Sequence, residues 1–187
     1  GDTRKVVIGQ GIGCNLAGPR RAWATADEPG SQRCNMRQLR NSIRALRKEG
    51  YLPVATMQQV EKSTHVPQPM HVRHLRSLAR AGAVAVQGSQ AHQIKPMEVF
   101  RGGFIAYGLG NLFFDQVWNV NIRQMMVHRL IFHDNRLLSV EVLTGHNEEY
   151  GKPRPTTAAE RRRLLRKLER VARKQKLHRP AAMRPRP

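Results

Sequence analysis

Acidic side chains, cysteines and long apolar runs are all scarce in this chain. Its 187 residues hold 13 Asp and Glu against 33 Lys and Arg, which gives a formal charge of +20. The two cysteines, Cys14 and Cys34, are too few for a disulfide framework, and they could pair or stay reduced. The longest nearly apolar stretch, 103–114, is interrupted by glycines and is shorter than the roughly 18 residues of a membrane span. We therefore expect no transmembrane helix, and no signal peptide is encoded within these residues.

What the chain does contain is enough apolar material for one folded domain with a core. Apolar residues make up 40% of the sequence, which is too many for a fully disordered chain. The positive charge is uneven, because residues 151–187 hold 14 basic and 2 acidic side chains while residues 1–150 hold 19 and 11. A basic surface of this size favours a polyanionic partner without identifying it.

The basic C-terminal segment, 151–187, is predicted to contain a linker, a helix and a disordered tail. Residues 151–155 are rich in proline and suggest a stiff, open linker, and Thr157 with Glu160 has the spacing of a capping box. Leucines then recur at helical spacing, and the tail after His178 is rich in Pro and Arg. The basic residues that could contact a polyanion or an anionic membrane surface are Arg161, Arg162, Arg163, Arg166, Lys167 and Arg170. Alternatively, the helix packs its leucines on the body and leaves these charges in solvent.

The first half of the chain has the pattern of an α/β layer. Strands are predicted at 5–8, 51–56 and 83–86, with helices from Met36 to a stop at Gly50 and over 69–81. This alternation is typical of parallel strands joined by helical crossovers. Ligand-binding residues then belong on the loops after the strands. The candidates there are Asn15, the segment from Gln58 to Glu61, and the segment from Gly88 to His92.

After His92 the pattern changes to short strands. They are predicted at 97–100, 104–109, 125–132 and 137–143, with residues 133–136 suited to a tight hairpin turn. We expect these strands to pair antiparallel. The remaining histidines form no ligand spacing, and His71 with His74 is expected to be an exposed pair.

Two motifs resemble a known family. The first is Gly88-Ser89-Gln90-Ala91-His92, and the second runs from Tyr107-Gly108-Leu109-Gly110-Asn111 to Phe114-Asp115. Together with Ile12-Gly13-Cys14-Asn15 and Gly50-Tyr51-Leu52-Pro53, they resemble the bacterial CapA family of poly-γ-glutamate capsule synthesis proteins. The resemblance implies an α/β fold, namely a partial calcineurin-like metallophosphoesterase sandwich in which an αβαβ layer precedes antiparallel strands and a basic C-terminal helix. Residues 1–150 would form the second half of that domain, followed by the segment 151–187.

The resemblance also implies a two-metal phosphoesterase site, which this chain keeps only in part. Ser89 and Gln90 stand where the family has histidines, while His92 and Glu61 remain. His92 is the candidate catalytic residue, and His92 with Gln90 the candidate ligand pair for Mn, Fe or Zn. An amide is a weaker ligand than an imidazole for these metals. The supporting or binding residues would be Glu61, Asn15, Gln58 and Asn111, although an ordinary ion pair with a Lys or Arg is the preferred role for Glu61.

Two functions follow from the sequence. The first is a CapA-like protein of capsule and poly-γ-glutamate biosynthesis, whose phosphoesterase-like domain is incomplete or degenerate in this chain. Another chain, or an upstream segment of a longer protein, could complete the domain. Its ligand would be a polyanionic polymer or a phosphorylated molecule. The second is a non-enzymatic module that contacts nucleic acid or another polyanion through its basic C-terminal arm. Whether the chain is an enzyme, and whether it acts in the cytoplasm or at the cell envelope, stays open at this stage.

Overall fold

A computed structural model of the protein describes residues 24–30 and 33–178. The predicted strand at 5–8, Asn15 and the tail beyond residue 178 lie outside the described residues. Helix α1 spans Met36–Lys48, and the side chain of Asn35 caps it by accepting a hydrogen bond from the Gln38 backbone N–H at 3.1 Å. The helix buries Leu39 and Ile43, as its periodicity predicts, and a left-handed glycine, Gly50, follows its end.

The first sheet has four strands in the order β1-β2-β4-β3. Strand β1 is Val54–Gln58, β2 is Ala85–Ser89, β3 is Met97–Phe100 and β4 is Gly103–Ala106. Strands β1, β2 and β4 run parallel, while β3 pairs antiparallel with β4. Helix α2, Pro69–Ala81, connects β1 to β2 and has the predicted bounds. The predicted α/β layer is confirmed, although β1 and β2 both end further along the chain than the apolar runs suggest.

The second sheet is a long hairpin with one added strand, and it follows the short helix α3, Val120–Arg123. Strands β5, Gln124–His133, and β6, Arg136–Glu149, pair antiparallel through a turn at Asp134 and Asn135, which both have positive φ. The hairpin is therefore confirmed. The prediction of an open linker at 151–155 is wrong, because β7, Lys152–Pro155, pairs with β6. Its two prolines are accommodated because β7 is an edge strand that pairs on one side only.

Helix α4 spans Ala158–Lys174 and begins with the predicted capping box between Thr157 and Glu160. Its apolar side is buried in two clusters. Leu164 and Leu168 pack with residues of β3, β4 and β5, and Ala172 joins the cluster that contains α1 and α2 residues. The basic helix is thus built into the fold, as the second interpretation of its leucines expects.

The segment that follows α4 forms hydrogen bonds with strand β3. The Val99 backbone N–H donates to the His178 carbonyl at 2.8 Å, and the His178 backbone N–H donates to the Glu98 carboxylate at 3.0 Å. Glu98 has no exposed surface and also accepts hydrogen bonds from Arg76 and Tyr107. The C-terminal segment therefore shares a buried polar cluster with the α/β layer.

Three further features concern single residues and the membrane. The expected exposure of His71 is wrong: it is 2% exposed, because it lies one helical turn before Leu75 on the buried face of α2.

Cys34 takes part in a disulfide bond. No helix in the part of the chain that the structure describes is long and apolar enough to cross a membrane.

Candidate functional site at the carboxyl ends of the parallel strands

Two glutamine side chains meet where strands β1 and β2 end. Gln58 is the last residue of β1 and lies in register with Ser89, so the parallel pairing places it beside Gln90. The Gln58 Nε2 donates a hydrogen bond to the Gln90 Oε1. Gln90 is exposed and has a φ of 72°, a left-handed conformation that is costly for a side chain of this kind. This amide pair leaves the Gln90 NH₂ group directed away from the Gln58 contact as a donor for a ligand.

His92 lies two residues further along the same loop and is held by Asn111. Its Nδ1 is 2.8 Å from the Asn111 Oδ1, and the Asn111 Nδ2 donates to the Ile122 carbonyl at 3.4 Å. Because the amide oxygen is an acceptor, the Nδ1 carries the proton and the Nε2 keeps its lone pair. The ring of Phe114 lies 5.5 Å from the imidazole. The two motifs that are far apart in sequence therefore meet at His92, and its Nε2 can accept a hydrogen bond or bind a metal.

Glu61 lies near His92 in a half-buried position. One of its carboxylate oxygens, Oε1, is buried without a hydrogen-bond partner in the structure. Burial raises the pKa of the carboxyl group, while the nearby charge of Lys95 opposes this rise. Among the described residues no Lys or Arg nitrogen lies within ion-pair distance of its carboxylate, and the charge of the buried Lys95 acts on it from further away. Glu61 instead contributes a desolvated negative charge beside the imidazole.

A buried lysine, Lys95, supports the loop that holds Glu61, and sequence reasoning did not find it. It is 2% exposed, and its Nζ donates to the carbonyls of Lys62 at 3.1 Å and Thr64 at 2.5 Å. Burial lowers the pKa of its ammonium group, and the charge of Glu61 opposes that shift. Nothing in the local pattern distinguishes Lys95 from a solvated lysine, because its partners are some thirty residues earlier in the chain.

A glycine allows the loop of His92 to lie close to the end of β4. A Cβ atom on Gly108 would be 2.4 Å from the Cβ of Ala91 and 3.1 Å from the Cγ of Lys95. Only glycine fits at such a distance without moving the loop. The Tyr107-to-Asn111 motif therefore acts on His92 both by close packing and through the Asn111 hydrogen bond.

The donor set at this edge does not fit a two-metal centre. In residues 24–30 and 33–178, no group of three or more His, Cys, Asp or Glu side chains is placed to hold a metal ion. Among the described residues the edge offers one imidazole, one desolvated carboxylate and three amides; Gln58 and Gln90 bond to each other, and Asn111 bonds to the imidazole. Divalent Mn, Fe or Zn requires more imidazole and carboxylate ligands than these.

The basic residues predicted to contact polyanions lie on α4, and they divide into two groups. Arg161 and Lys167 are tied to the body: the Arg161 Nη1 donates to the Val142 carbonyl at 2.6 Å, and the Lys167 Nζ donates to the Asn121 Oδ1 at 2.6 Å. The exposed group consists of Arg162, Arg163, Arg166 and Arg170. The exposed group could meet a polyanion without breaking an internal contact.

Comparison with known proteins assigns the family. The model of the bacterial capsule synthesis protein family, PGA_cap, matches residues 8–116. The chain belongs to this family. It is 28% identical over 152 residues to the capsule biosynthesis protein CapA of Bacillus anthracis, an alignment that covers 79% of this chain and 36% of that protein. It is 44% identical over 43 residues to the PGA biosynthesis protein CapA of Bacillus subtilis, which covers 23% of this chain and 11% of that protein.

These matches confirm the CapA family assignment made from the motifs, and with it the mixed α/β fold class. The family-model match includes both the segment from Gly88 to His92 and the Tyr107-to-Asp115 motif, since both lie within residues 8–116. The chain spans about a third of the length of the Bacillus anthracis relative, whose alignment covers 36% of that protein. The chain is therefore a CapA-like protein of the capsule synthesis family that corresponds to a part of its longer relatives.

Proposed function

We propose that this chain binds an anionic γ-linked glutamate polymer at the carboxyl ends of β1 and β2, without a resident two-metal centre. The observation that supports this best is the meeting of Gln58, Gln90 and His92 at one sheet edge. The names of the relatives, a capsule biosynthesis protein and a PGA biosynthesis protein, support a capsule polymer as the ligand. Nothing in the comparisons supports the nucleic-acid module.

The chemistry of the edge suits a polymer that has both carboxylates and peptide groups. The Gln90 NH₂ can donate to a carboxylate or carbonyl oxygen, and the His92 Nε2 can accept from an amide N–H. Asn111 fixes the ring so that this lone pair has a constant direction, which reduces the cost of ordering on binding. Glu61 repels a carboxylate that approaches it, so the polymer's charged groups would lie on the Gln90 side of the edge.

The test is to measure binding of a fluorescent γ-linked glutamate decamer to the full chain by fluorescence anisotropy, with and without Mn²⁺. We expect binding in the presence of a chelator, and a loss of affinity of about three- to tenfold in Gln90→Ala or His92→Ala, the value of one or two hydrogen bonds. His133→Ala is the matched control, because His133 is an exposed histidine on the β5-β6 turn.

Three results would decide against the proposal. They are no binding of the decamer, equal affinity in the two site variants and the control, and binding that appears only with Mn²⁺. Duplex DNA, which is also a polyanion, serves as a competitor of the fluorescent decamer. If it displaces the decamer as well as unlabelled decamer does, binding is non-specific electrostatic attraction.

A further inference from the structure

A cavity with several charged side chains in its lining lies away from the sheet edge, between helix α4 and the start of the second sheet. Its volume is about 380 Å³, within the usual range for small-ligand sites. Helix α4 contributes Arg163 and Lys167, β6 contributes His146, and the α3-β5 segment contributes Asn121 and Gln124. No step of the proposed function uses these residues.

The cavity has an excess of positive charge. Its carboxylate, Glu160, is paired with Arg154, whose Nη1 and Nη2 both lie 2.8 Å from the carboxylate oxygens. Arg154 also forms an ion pair with Glu148, which does not line the cavity. The pairing of Arg154 with Glu160 keeps the pKa of Glu160 far below its ordinary value and that of Arg154 above it. Lys167 and Arg163 have no acidic partner among the described residues. An anion that enters the cavity therefore meets two uncompensated cations.

One of these two cations, Lys167, is held in place by a hydrogen bond. The Lys167 Nζ is held at 2.6 Å from the Asn121 Oδ1, and the His65 Nε2 lies 3.3 Å from the same oxygen. Burial lowers the pKa of the Lys167 ammonium group. Arg163, one turn earlier on the same face, makes no hydrogen bond with a described residue and is exposed at the mouth. A guanidinium in this position is suited to two-point binding of a carboxylate.

One acceptor in the cavity lining, the Gln124 Oε1, is buried and receives no hydrogen bond from a described residue. A buried acceptor of this kind costs free energy unless a ligand or water donates to it. A ligand that supplies both a carboxylate and an N–H would therefore satisfy the cations and the acceptor together. A γ-linked glutamate unit has both groups, whereas the phosphodiester backbone of nucleic acid has no N–H.

We propose that this cavity is a second subsite for the polymer, in which Arg163 and Lys167 bind a glutamyl carboxylate and Gln124 accepts from a peptide N–H. The proposal rests on the proposed function for the identity of its ligand. Its lining residues are distinct from those of the sheet edge, because none of them belongs to β1, β2 or the His92 loop. Two separated subsites would let one chain hold a longer stretch of polymer with higher affinity than either subsite alone.

The experiment compares two neighbouring arginines on the full chain. Arg163→Gln and Arg162→Gln remove the same charge from adjacent exposed positions of α4, but only Arg163 lines the cavity. With the fluorescent γ-linked glutamate decamer, we expect Arg163→Gln to lower affinity about tenfold, the value of a charge-assisted contact, and Arg162→Gln about twofold or less. Equal losses in the two variants would overturn the subsite and indicate general charge attraction.

A second probe separates failure of the subsite from failure of the proposed function. Glutarate is titrated against the full chain while the ring nitrogen resonances of His146 are followed by NMR. We expect a saturable shift that is lost in Arg163→Gln and kept in Arg162→Gln and in His92→Ala. If the decamer does not bind, the proposed function fails, and the glutarate shift still decides the cavity: its absence in the wild type overturns the subsite.

Discussion

Arg76 and Glu98 form a two-point ion pair between helix α2 and strand β3. The Arg76 Nε lies 3.0 Å from the Glu98 Oε2, and its Nη2 lies 2.5 Å from the Oε1. The Tyr107 hydroxyl donates to the same carboxylate at 2.5 Å, and the His178 backbone N–H approaches it at 3.0 Å. Burial raises the pKa of Glu98, but these hydrogen bonds outweigh it and the net shift is downward. One buried carboxylate thus connects α2, the sheet and the segment after α4.

We predict that Glu98→Gln lowers the free energy of unfolding by about 3 kcal/mol, since it leaves the Arg76 charge without its partner in a buried cluster. Denaturant unfolding measured by circular dichroism is the readout. Glu141→Gln is the control, because Glu141 pairs with Arg129 on the exposed hairpin at 2.9 Å. It should cost less than about 1 kcal/mol. Similar small losses in both variants would show that the Glu98 cluster adds little to stability.

A pH dependence is predicted from His71. Burial, with smaller contributions from Lys95 and His74, lowers its pKa from 6.5 to about 4. The unfolded chain therefore binds a proton between pH 6.5 and about 4 that the folded chain does not bind. The contribution of His71 to the free energy of unfolding is fully present above pH 6.5. It falls as the pH drops through this window, by up to about 1.4 kcal/mol per pH unit.

The variant His71→Leu should remove the part of the pH dependence of stability that His71 causes. The test is to measure the free energy of unfolding of both proteins from pH 7 to pH 4.5. His128 retains a similar contribution, because burial lowers its pKa to about 4 as well. At pH 7 the substitution also removes an Nε2 that is buried without a hydrogen-bond partner in the structure, so we expect little loss there. A slope that is the same in wild type and His71→Leu would contradict the assignment. His133→Gln, on the exposed turn, controls for loss of a histidine.

Helix α4 provides a third prediction, on its role in the core. Leu168 has no exposed surface and packs with residues of both sheets, whereas Leu165 is only half-buried. Leu168→Ala should lower the free energy of unfolding by about 2–5 kcal/mol through lost burial and a cavity, and Leu165→Ala by clearly less. Thermal unfolding of the two variants side by side measures the difference. Equal effects would mean that α4 is not anchored through this leucine.

Local patterns in the sequence account for the helices α1, α2 and α4 and for the hairpin, but not for the short helix α3. The Asn35 cap, the Thr157-Glu160 capping box and the Asp134-Asn135 turn depend on neighbouring residues, so their geometry can be predicted without the rest of the fold. The strand β7 could not be recognised in this way. Its prolines resemble a linker, and only pairing with β6 on one side makes them compatible with a sheet.

The site depends on contacts that are distant in sequence. Gln58 and Gln90 bond because the parallel register places Gln58 beside Ser89, and register is set by packing of the whole sheet. The family resemblance indicated His92 and Asn111 as site residues without giving their hydrogen bond. Lys95 gives no signal at all, since its carbonyl partners come from a separate loop. His71 had a signal in its spacing to Leu75, which places it on the buried face.

The last prediction concerns Gly108, which allows the His92 loop to approach the end of β4. In Gly108→Ala the new methyl group would be 2.4 Å from the Ala91 Cβ, so the loop from Ala91 to Lys95 must move. We expect a loss of about 1–3 kcal/mol in stability, and a fall in decamer affinity similar to that of His92→Ala, because His92 leaves its position. Gly102→Ala is the control: its φ is +80°, which costs about 1 kcal/mol for alanine, but no atom lies within 4 Å of its Cβ. If decamer affinity falls equally in both variants, or in neither, polymer binding does not depend on the position of His92, and the prediction is wrong.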